Sequence, residues 1–215
     1  MFSLPDPLQL LLSLPAFIVG LTFHEYAHGL AAYKLGDKTA YYQGRLTLNP
    51  LPHLDPVGFL MLVFFRFGWA KPVPVNPYNF QGDVKKSMML VSLAGPATNF
   101  LLALISAPLL GLAMARMPFE RDIIVGMLQN MLLINLFLGV FNLLPVPPLD
   151  GSKILAGIIP GRQNWLYQLE QYGMIILLLL LFTGIIGRVL GFFITPALSF
   201  LGQIVNYVYA ISSVY

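Results

Sequence analysis

The residue types and spacing at positions 24–28 are those of a helical metal site. His24 and His28 are four residues apart, so on a helix both imidazoles project from one face and can bind a single zinc ion. Glu25 lies next to the first histidine and can act as general base toward a water that the metal activates. The alternative is that the two histidines are core residues, hydrogen-bonded to neighbouring helices.

A catalytic zinc usually has three protein ligands and one water. Because the chain contains no cysteine, the third ligand must be a histidine or a carboxylate. Asp150 is the candidate, since prolines at 145, 147 and 148 stop the preceding helix and leave its carboxylate on extended chain. Gly151 permits a tight turn there. The alternative for Asp150 is a loop residue that caps the next helix near Ser152. We expect one zinc per chain.

Two asparagines precede Asp150 on nearly one helical face. The side-chain amide of Asn142 can donate to the oxyanion of a tetrahedral intermediate, or it can serve only as a structural hydrogen-bonding group. For Asn135 we favour a hydrogen bond to a neighbouring helix, as buried amides in membrane helices often make.

Three further polar residues are candidates for supporting the site or contacting a substrate. Asn99 ends a small-residue run at 94–99 that includes Pro96, and we expect it to support the site by bonding freed backbone. His53 is an alternative metal ligand, although an interfacial hydrogen bond is the favoured role. Asn76 ends an extended, proline-containing segment at 72–76 that is a candidate for substrate capture.

Composition places these residues in a membrane protein. The chain has 215 residues, of which 57% are hydrophobic and 10% charged, whereas soluble domains carry about 25% charged residues. The few basic residues lie between apolar segments, so the net charge of +3 does not indicate a nucleic-acid partner. No lysine or arginine precedes Lys34, so we expect no cleavable signal peptide. Without repeats or linkers, residues 1–215 are predicted to form one membrane-embedded domain.

Apolar segment lengths predict an all-α polytopic protein with five or six membrane helices. The predicted spans are 8–35, 87–115, 123–144, 171–187 and 189–209, the last two separated by Arg188. The apolar segment at 57–65 is too short to cross, which predicts a re-entrant or interfacial segment between the first two spans. Residues 39–42 and 45–48 flank Gln43 and Gly44 and predict a β-hairpin, which with residues 72–76 forms a small membrane-associated sheet.

The placement of basic residues predicts orientation. Seven of the twelve lie between the first two spans: Lys34, Lys38, Arg45, Arg66, Lys71, Lys85 and Lys86. Lys153 and Arg162 follow the third span. Arg116, Arg121 and Arg188 lie on the opposite side. The positive-inside rule then places residues 36–86 and 145–164 in the cytoplasm and the N-terminus outside, in the cell (inner) membrane. His28 and Asp150 both fall toward the cytoplasmic ends of their segments.

Taken together, these motifs resemble the site-2 protease family of intramembrane zinc metalloproteases (peptidase family M50). The resemblance rests on residues 24–28, the run at 94–99, the segment from Asn142 to Gly151, and residues 44–50 with 55–56, the last two stretches being similar to short bacterial and archaeal members. It implies that His24, His28 and Asp150 bind zinc, that Glu25 activates water and that Asn142 assists the oxyanion. The chain resembles the short forms that lack PDZ and CBS domains.

The implied function is hydrolysis of peptide bonds in transmembrane protein or peptide substrates, near the cytoplasmic side of the bilayer. Two alternatives use the same ligands. One is a catalytically silent protein that binds membrane segments, and the other is a membrane metal transporter or sensor. Transport sites usually lie between inverted repeats, and the sequence shows no repeat.

Overall fold

The computed structural model describes residues 7–65, 68–117, 121–161 and 164–214, and within them it is helical, with no β-strand. The predicted domain of 1–215 therefore includes positions outside the described residues, among them Arg66 and Arg162 of the charge pattern. The eight α-helices described are α1 Pro7–Lys34, α2 Thr39–Tyr42, α3 Pro56–Phe65, α4 Val84–Arg116, α5 Arg121–Asn142, α6 Asp150–Ile158, α7 Asn164–Phe182 and α8 Ile185–Ser212.

Four of these helices are long and apolar enough to cross a membrane, namely α1, α4, the Ile123–Asn142 part of α5, and α8. The α4 helix is central, because it packs against α1, α5, α6 and α8. The approach to α8 is close at Gly111, where an added Cβ would lie 2.5 Å from the Val205 carbonyl oxygen. The main core consequently forms where α4, α5 and α8 meet, from residues such as Ala107, Leu136 and Leu201.

Among the described residues four helices are long and apolar enough to cross a membrane, so the prediction of five or six membrane helices is wrong, and the difference lies in the C-terminal part of the chain. The segment predicted as a span at 171–187 belongs mainly to α7, whose apolar part, Leu169–Phe182, is shorter than the four spanning helices. The chain breaks at Gly184, which has a φ of 70° and so adopts the left-handed conformation that glycine tolerates. Arg188, predicted to separate the last two spans, lies within the first turns of α8.

The predicted β-hairpin is also wrong. Residues 39–42 form the short helix α2, which Asp37 initiates by accepting hydrogen bonds from the backbone N–H and the hydroxyl of Thr39. Asp and Asn side chains compete with strand pairing in this local way. Arg45 closes the turn through its N–H to the Ala40 carbonyl at 2.8 Å. These local bonds outweigh the strand preference of the threonine and tyrosines, which depends on context.

Residues 72–76 lie outside any helix or strand, as an extended segment, but they do not join a sheet. Arg45 donates from its guanidinium to the carbonyls of Lys71 and Pro72, at 2.7 and 3.2 Å, so a side chain occupies the groups that a neighbouring strand would pair with. In the described part of the chain, ladder-type pairing is limited to an isolated bridge between Leu54 and Ala70. The α3 helix has ten residues, too few to cross a bilayer.

Candidate metal centre

Three side chains that are distant in sequence meet at the junction of α1 and α6. His24 and His28 lie one turn apart on α1, and Asp150 is the first residue of α6. The Asp150 carboxylate oxygen Oδ2 lies 3.2 Å from His24 Nε2 and 3.3 Å from His28 Nε2. The two Nε2 atoms are 2.9 Å apart. Among the described residues, these three form the group of side chains that could hold a metal ion.

The hydrogen bonds behind the imidazoles determine which ring nitrogens face inward. His24 Nδ1 lies 2.6 Å from Asn99 Oδ1, and His28 Nδ1 lies 2.7 Å from the carbonyl oxygen of Val91. Both partners accept hydrogen bonds, so each Nδ1 carries the proton. Each neutral ring then directs the Nε2 lone pair toward the other ring and toward Asp150. Three lone pairs at such distances need a cation or a shared proton between them.

The donor set fits zinc. Tetrahedral zinc at about 2.0–2.1 Å from nitrogen or oxygen separates its ligand atoms by about 3.3 Å, and the three atom pairs lie at 2.9, 3.2 and 3.3 Å. Two imidazoles and a carboxylate leave one tetrahedral position open, as catalytic zinc requires. Asp150 does not act as a helix cap, because the N-cap of α6 is Leu149, without a side-chain capping bond.

The proposed base Glu25 is buried next to this group. Its Oε2 accepts a hydrogen bond of 2.7 Å from the backbone N–H of Val73, which belongs to the extended segment at 72–76. This bond holds one carboxylate oxygen and leaves Oε1 available. The segment that the sequence indicated for substrate capture therefore lies against the residue assigned as base.

A buried aspartate holds the far end of the same segment. Asp37 accepts hydrogen bonds from the backbone N–H of Asn76, at 2.7 Å, and from the side-chain amide of Asn79, at 2.9 Å, besides those from Thr39. Burial by itself raises the pKa of the Asp37 carboxyl, but the bonds from Thr39, Asn79 and Asn76 outweigh it and hold that pKa below its ordinary value. The carboxylate is thus ionised at neutral pH and connects the end of α1 to the segment.

The remaining predicted residues are placed as follows. Asn142 donates from Nδ2 to the Leu138 carbonyl at 2.9 Å, so its role at an oxyanion stays a prediction. Asn99 bonds to His24, as support for the site rather than as an exposed substrate contact. His53 is buried and pairs through Nε2 with the Thr47 carbonyl at 2.8 Å, outside the metal group. Asn76 caps a short 3-10 turn by accepting from the Tyr78 N–H.

Sequence reasoning did not identify four residues that shape the site. The contributions of Val91 and Val73 are backbone groups, for which side-chain identity carries no signal. Gly95 belongs to the small-residue run at 94–99, and an added Cβ would lie 2.5 Å from His28 Nε2 and 2.6 Å from His24 Cε1. Asp37 lies three residues after the end of α1, where the sequence predicted only the end of the first span.

Comparisons with known proteins agree on one family. The sequence model of the family described as peptidase family M50 matches residues 112–184, which include Asn142 and Asp150. YwhC of Bacillus subtilis (strain 168), whose name provisionally describes a zinc metalloprotease, is 44% identical over 178 residues, which are 80% of this chain and 81% of that protein. Rip2 of Mycolicibacterium smegmatis, named in the same way, is 30% identical over 182 residues, which are 83% of this chain and 69% of that protein. No solved structure gives a significant match.

Proposed function

The chain belongs to peptidase family M50, and from that premise we propose that it is an intramembrane zinc endopeptidase that cleaves transmembrane substrates near the cytoplasmic side. One zinc ion per chain would be held by His24, His28 and Asp150. The observation that supports this most directly is the convergence of two inward-facing Nε2 atoms and one carboxylate oxygen within 2.9–3.3 Å of one another. Four helices of spanning length place this group in a multi-pass membrane protein.

Each step of peptide hydrolysis can be assigned to a residue near the ligands. A zinc ion held by His24, His28 and Asp150 would lower the pKa of water toward about 7 and would polarise the scissile carbonyl. Glu25 accepts the proton of the attacking water at Oε1, since Oε2 is engaged by the Val73 N–H, and then returns that proton to the leaving amine. Asn142 donates from its amide to the oxyanion once a substrate displaces its bond along the helix.

The extended segment at 72–76 is suited to hold an unwound substrate. A helical substrate hides its carbonyls in its own hydrogen bonds, so it must be extended before a base and a metal can act on it. An extended chain can be captured by strand addition, in which backbone groups pair and alternate side chains enter pockets. Because Val73 contacts the base directly, a strand paired with this segment would pass close to Glu25.

The complete ligand set and the buried glutamate favour a hydrolase over the two alternatives. A silent binding protein has no need of a base adjacent to three metal ligands. A transporter must release its ion, whereas here each imidazole is fixed from behind by a separate hydrogen bond.

Substitution of Glu25 by glutamine tests the proposal. Glutamine can still accept from the Val73 N–H through its carbonyl oxygen but cannot take a proton from water. Purified Glu25→Gln protein is expected to retain one zinc per chain, by metal analysis, while cleavage of a transmembrane reporter peptide in liposomes falls roughly 10²–10⁴-fold. Asp150→Ala is expected to lose both the metal and the activity.

The matched control is Glu170→Gln, which makes the same chemical change at an exposed position on α7 and should leave zinc content and cleavage unchanged. Undiminished cleavage by Glu25→Gln would contradict the assigned base. Zinc-dependent retention of the reporter without cleavage by the wild type would favour the silent binding protein. Metal flux that persists in Glu25→Gln vesicles would favour the transporter.

A further inference from the structure

Two asparagines behind His24 are among the most deeply buried polar side chains in the described structure. Asn99 on α4 and Asn135 on α5 are both 0% exposed. Asn99 Nδ2 donates to Asn135 Oδ1 at 2.9 Å and to the Gly20 carbonyl at 3.1 Å. Asn135 Nδ2 in turn donates to the Met131 carbonyl at 2.9 Å. A continuous path of hydrogen bonds therefore runs from α5 through α4 to the His24 ring on α1.

The direction of every hydrogen bond in this path is determined by its ends. The carbonyls of Met131 and Gly20 can only accept, so the NH₂ groups of both asparagines must face them. Asn135 Oδ1 then faces Asn99, and Asn99 Oδ1 faces His24 Nδ1. The ring must consequently carry its proton on Nδ1 and keep the Nε2 lone pair free for a metal.

The two imidazoles differ in the group that holds the proton on Nδ1. His28 Nδ1 pairs with a backbone carbonyl, that of Val91, which substitution of side chains cannot remove. His24 depends on a side chain, that of Asn99, whose NH₂ group donates to two acceptors, the Gly20 carbonyl and Asn135 Oδ1. The Oδ1 of Asn135 is the second acceptor that fixes the Asn99 amide in one orientation. Orientation of this ligand is thus under side-chain control.

The bond of Asn135 to its own helix is not what distinguishes it. Asn130, on the same helix, donates in the same way to the carbonyl four residues back, that of Gly126, at 2.8 Å, but it has no described contact with the metal group. Asn135 differs because its oxygen reaches another helix. The approach requires Gly20, where an added Cβ would come 2.8 Å from Asn135 Oδ1.

We propose that Asn135 is a positioning residue that acts through Asn99 to fix the tautomer and orientation of His24, and so sets the affinity of the site for zinc. This inference rests on the proposed function, since it takes His24 as a metal ligand. Outer partners of metal-bound histidines typically change metal affinity about 10–100-fold when removed. The effect is expected even though the hydrogen bonds of Asn135 are to Asn99 and Met131 and not to His24 itself.

The experiment compares full-length wild type with Asn135→Leu, Asn135→Asp and Asn130→Leu, each purified in detergent. Zinc affinity is measured by competition with a chelator, and the cobalt-substituted proteins are compared by their visible absorption. Asn135→Leu is expected to bind zinc about 10–100-fold more weakly and to alter the cobalt spectrum. Asn135→Asp should restore both toward wild type, because a buried neutral carboxyl can accept from Asn99 and donate to the Met131 carbonyl.

Asn130→Leu is the matched control, since it removes the same kind of bond from the same helix, and its affinity and spectrum should equal those of the wild type. The proposal is overturned if Asn135→Leu keeps both wild-type affinity and spectrum, if Asn130→Leu weakens binding equally, or if Asn135→Asp shows no recovery. If the wild type itself bound no stoichiometric zinc, the proposed function would be overturned. This failure is distinguishable from failure of the Asn135 proposal, which is judged by comparing variants with a wild type that does bind zinc.

Discussion

At the scale of single residues, the site depends on a glycine and on a backbone carbonyl as well as on polar side chains. Gly95 of α4 lies directly against both imidazoles, at distances that no larger residue could keep. Val91, one turn earlier on the same helix, presents the carbonyl that holds His28. The three proposed metal ligands come from α1 and α6. The position of His28 therefore depends on the backbone of a helix that contributes none of the three side chains of the metal group.

Substitution of Gly95 by alanine should displace the imidazoles. The new Cβ would lie 2.5 Å from His28 Nε2, and forcing a methyl group into a packed site costs about 1–3 kcal/mol. We expect Gly95→Ala to bind zinc more weakly and to lose cleavage in proportion, measured by chelator competition and reporter assay. Gly191→Ala, a helical position with open space around the added Cβ, should match the wild type. Normal zinc affinity in Gly95→Ala would show that the ligands do not need this contact.

At the scale of elements, the connection between α1 and α4 links the base to the end of α1. Asp37 holds the N–H of Asn76, and the N–H of Val73, three residues earlier, holds Glu25. Arg45 holds the chain just before Val73 through the carbonyls of Lys71 and Pro72. The segment is thus held by side chains rather than by a sheet.

Asp37→Asn should loosen this segment without affecting the metal. The amide would present an NH₂ group to the Asn76 or Thr39 N–H, so one hydrogen bond is replaced by a contact between two donors. We expect normal zinc content, slower reporter cleavage and a lower unfolding temperature. Asp83→Asn is the control, because Asp83 caps α4 with one bond to the Lys86 N–H and asparagine caps equally well.

The stability difference between wild type and Asp37→Asn should depend on pH with a definite sign. The pKa of Asp37 is lower in the folded protein than its ordinary value of 3.8, so its contribution is complete above that value and is lost as pH falls toward the folded pKa. Unfolding temperatures measured from pH 8 downward should differ by a constant amount to about pH 5 and converge below about pH 4. A difference that vanishes already between pH 6 and 8 would contradict the role assigned to this carboxylate.

At the scale of the whole molecule, α4 brings the functional elements together. It packs on α1 with the histidines, on α5 with the asparagines and on α6 with Asp150. The charged and polar connections that hold the extended segment lie between α1 and α4. If residues 36–86 and 145–164 are cytoplasmic, as the distribution of basic residues predicts, the metal group would lie toward the cytoplasmic side.

The absence of cysteine from the sequence makes this orientation directly testable. Single cysteines replace Tyr78, which is 95% exposed in the connection between α1 and α4, and Met117, which is 41% exposed after α4. In intact cells a membrane-impermeant maleimide should label Met117→Cys but not Tyr78→Cys, and after permeabilisation it should label both. The unsubstituted protein provides a background without labelling. The reverse pattern would place the segment at 36–86 outside the cell.

The features that the sequence alone predicted are local ones. The four-residue spacing of His24 and His28 and the length of the apolar segments each depend on a short stretch of chain, because the helical repeat and the thickness of a bilayer are constant. Such signals indicated His24 and His28 as candidate metal ligands and predicted the helical membrane class. They failed at residues 39–42, where strand preference was overridden by Asp37, and near Arg188, where the break lies at Gly184 instead.

Only the tertiary structure decided how these residues act together. The contact of Asp150 with two imidazoles more than 120 residues earlier, the bond from Val73 to Glu25 and the path from Asn135 to His24 all join distant parts of the chain. Buried polar groups in a bilayer must find partners within the protein, and which partners they find depends on how α1, α4, α5 and α6 pack. Residue types and spacing thus specified the chemistry available, and packing specified which atoms perform it.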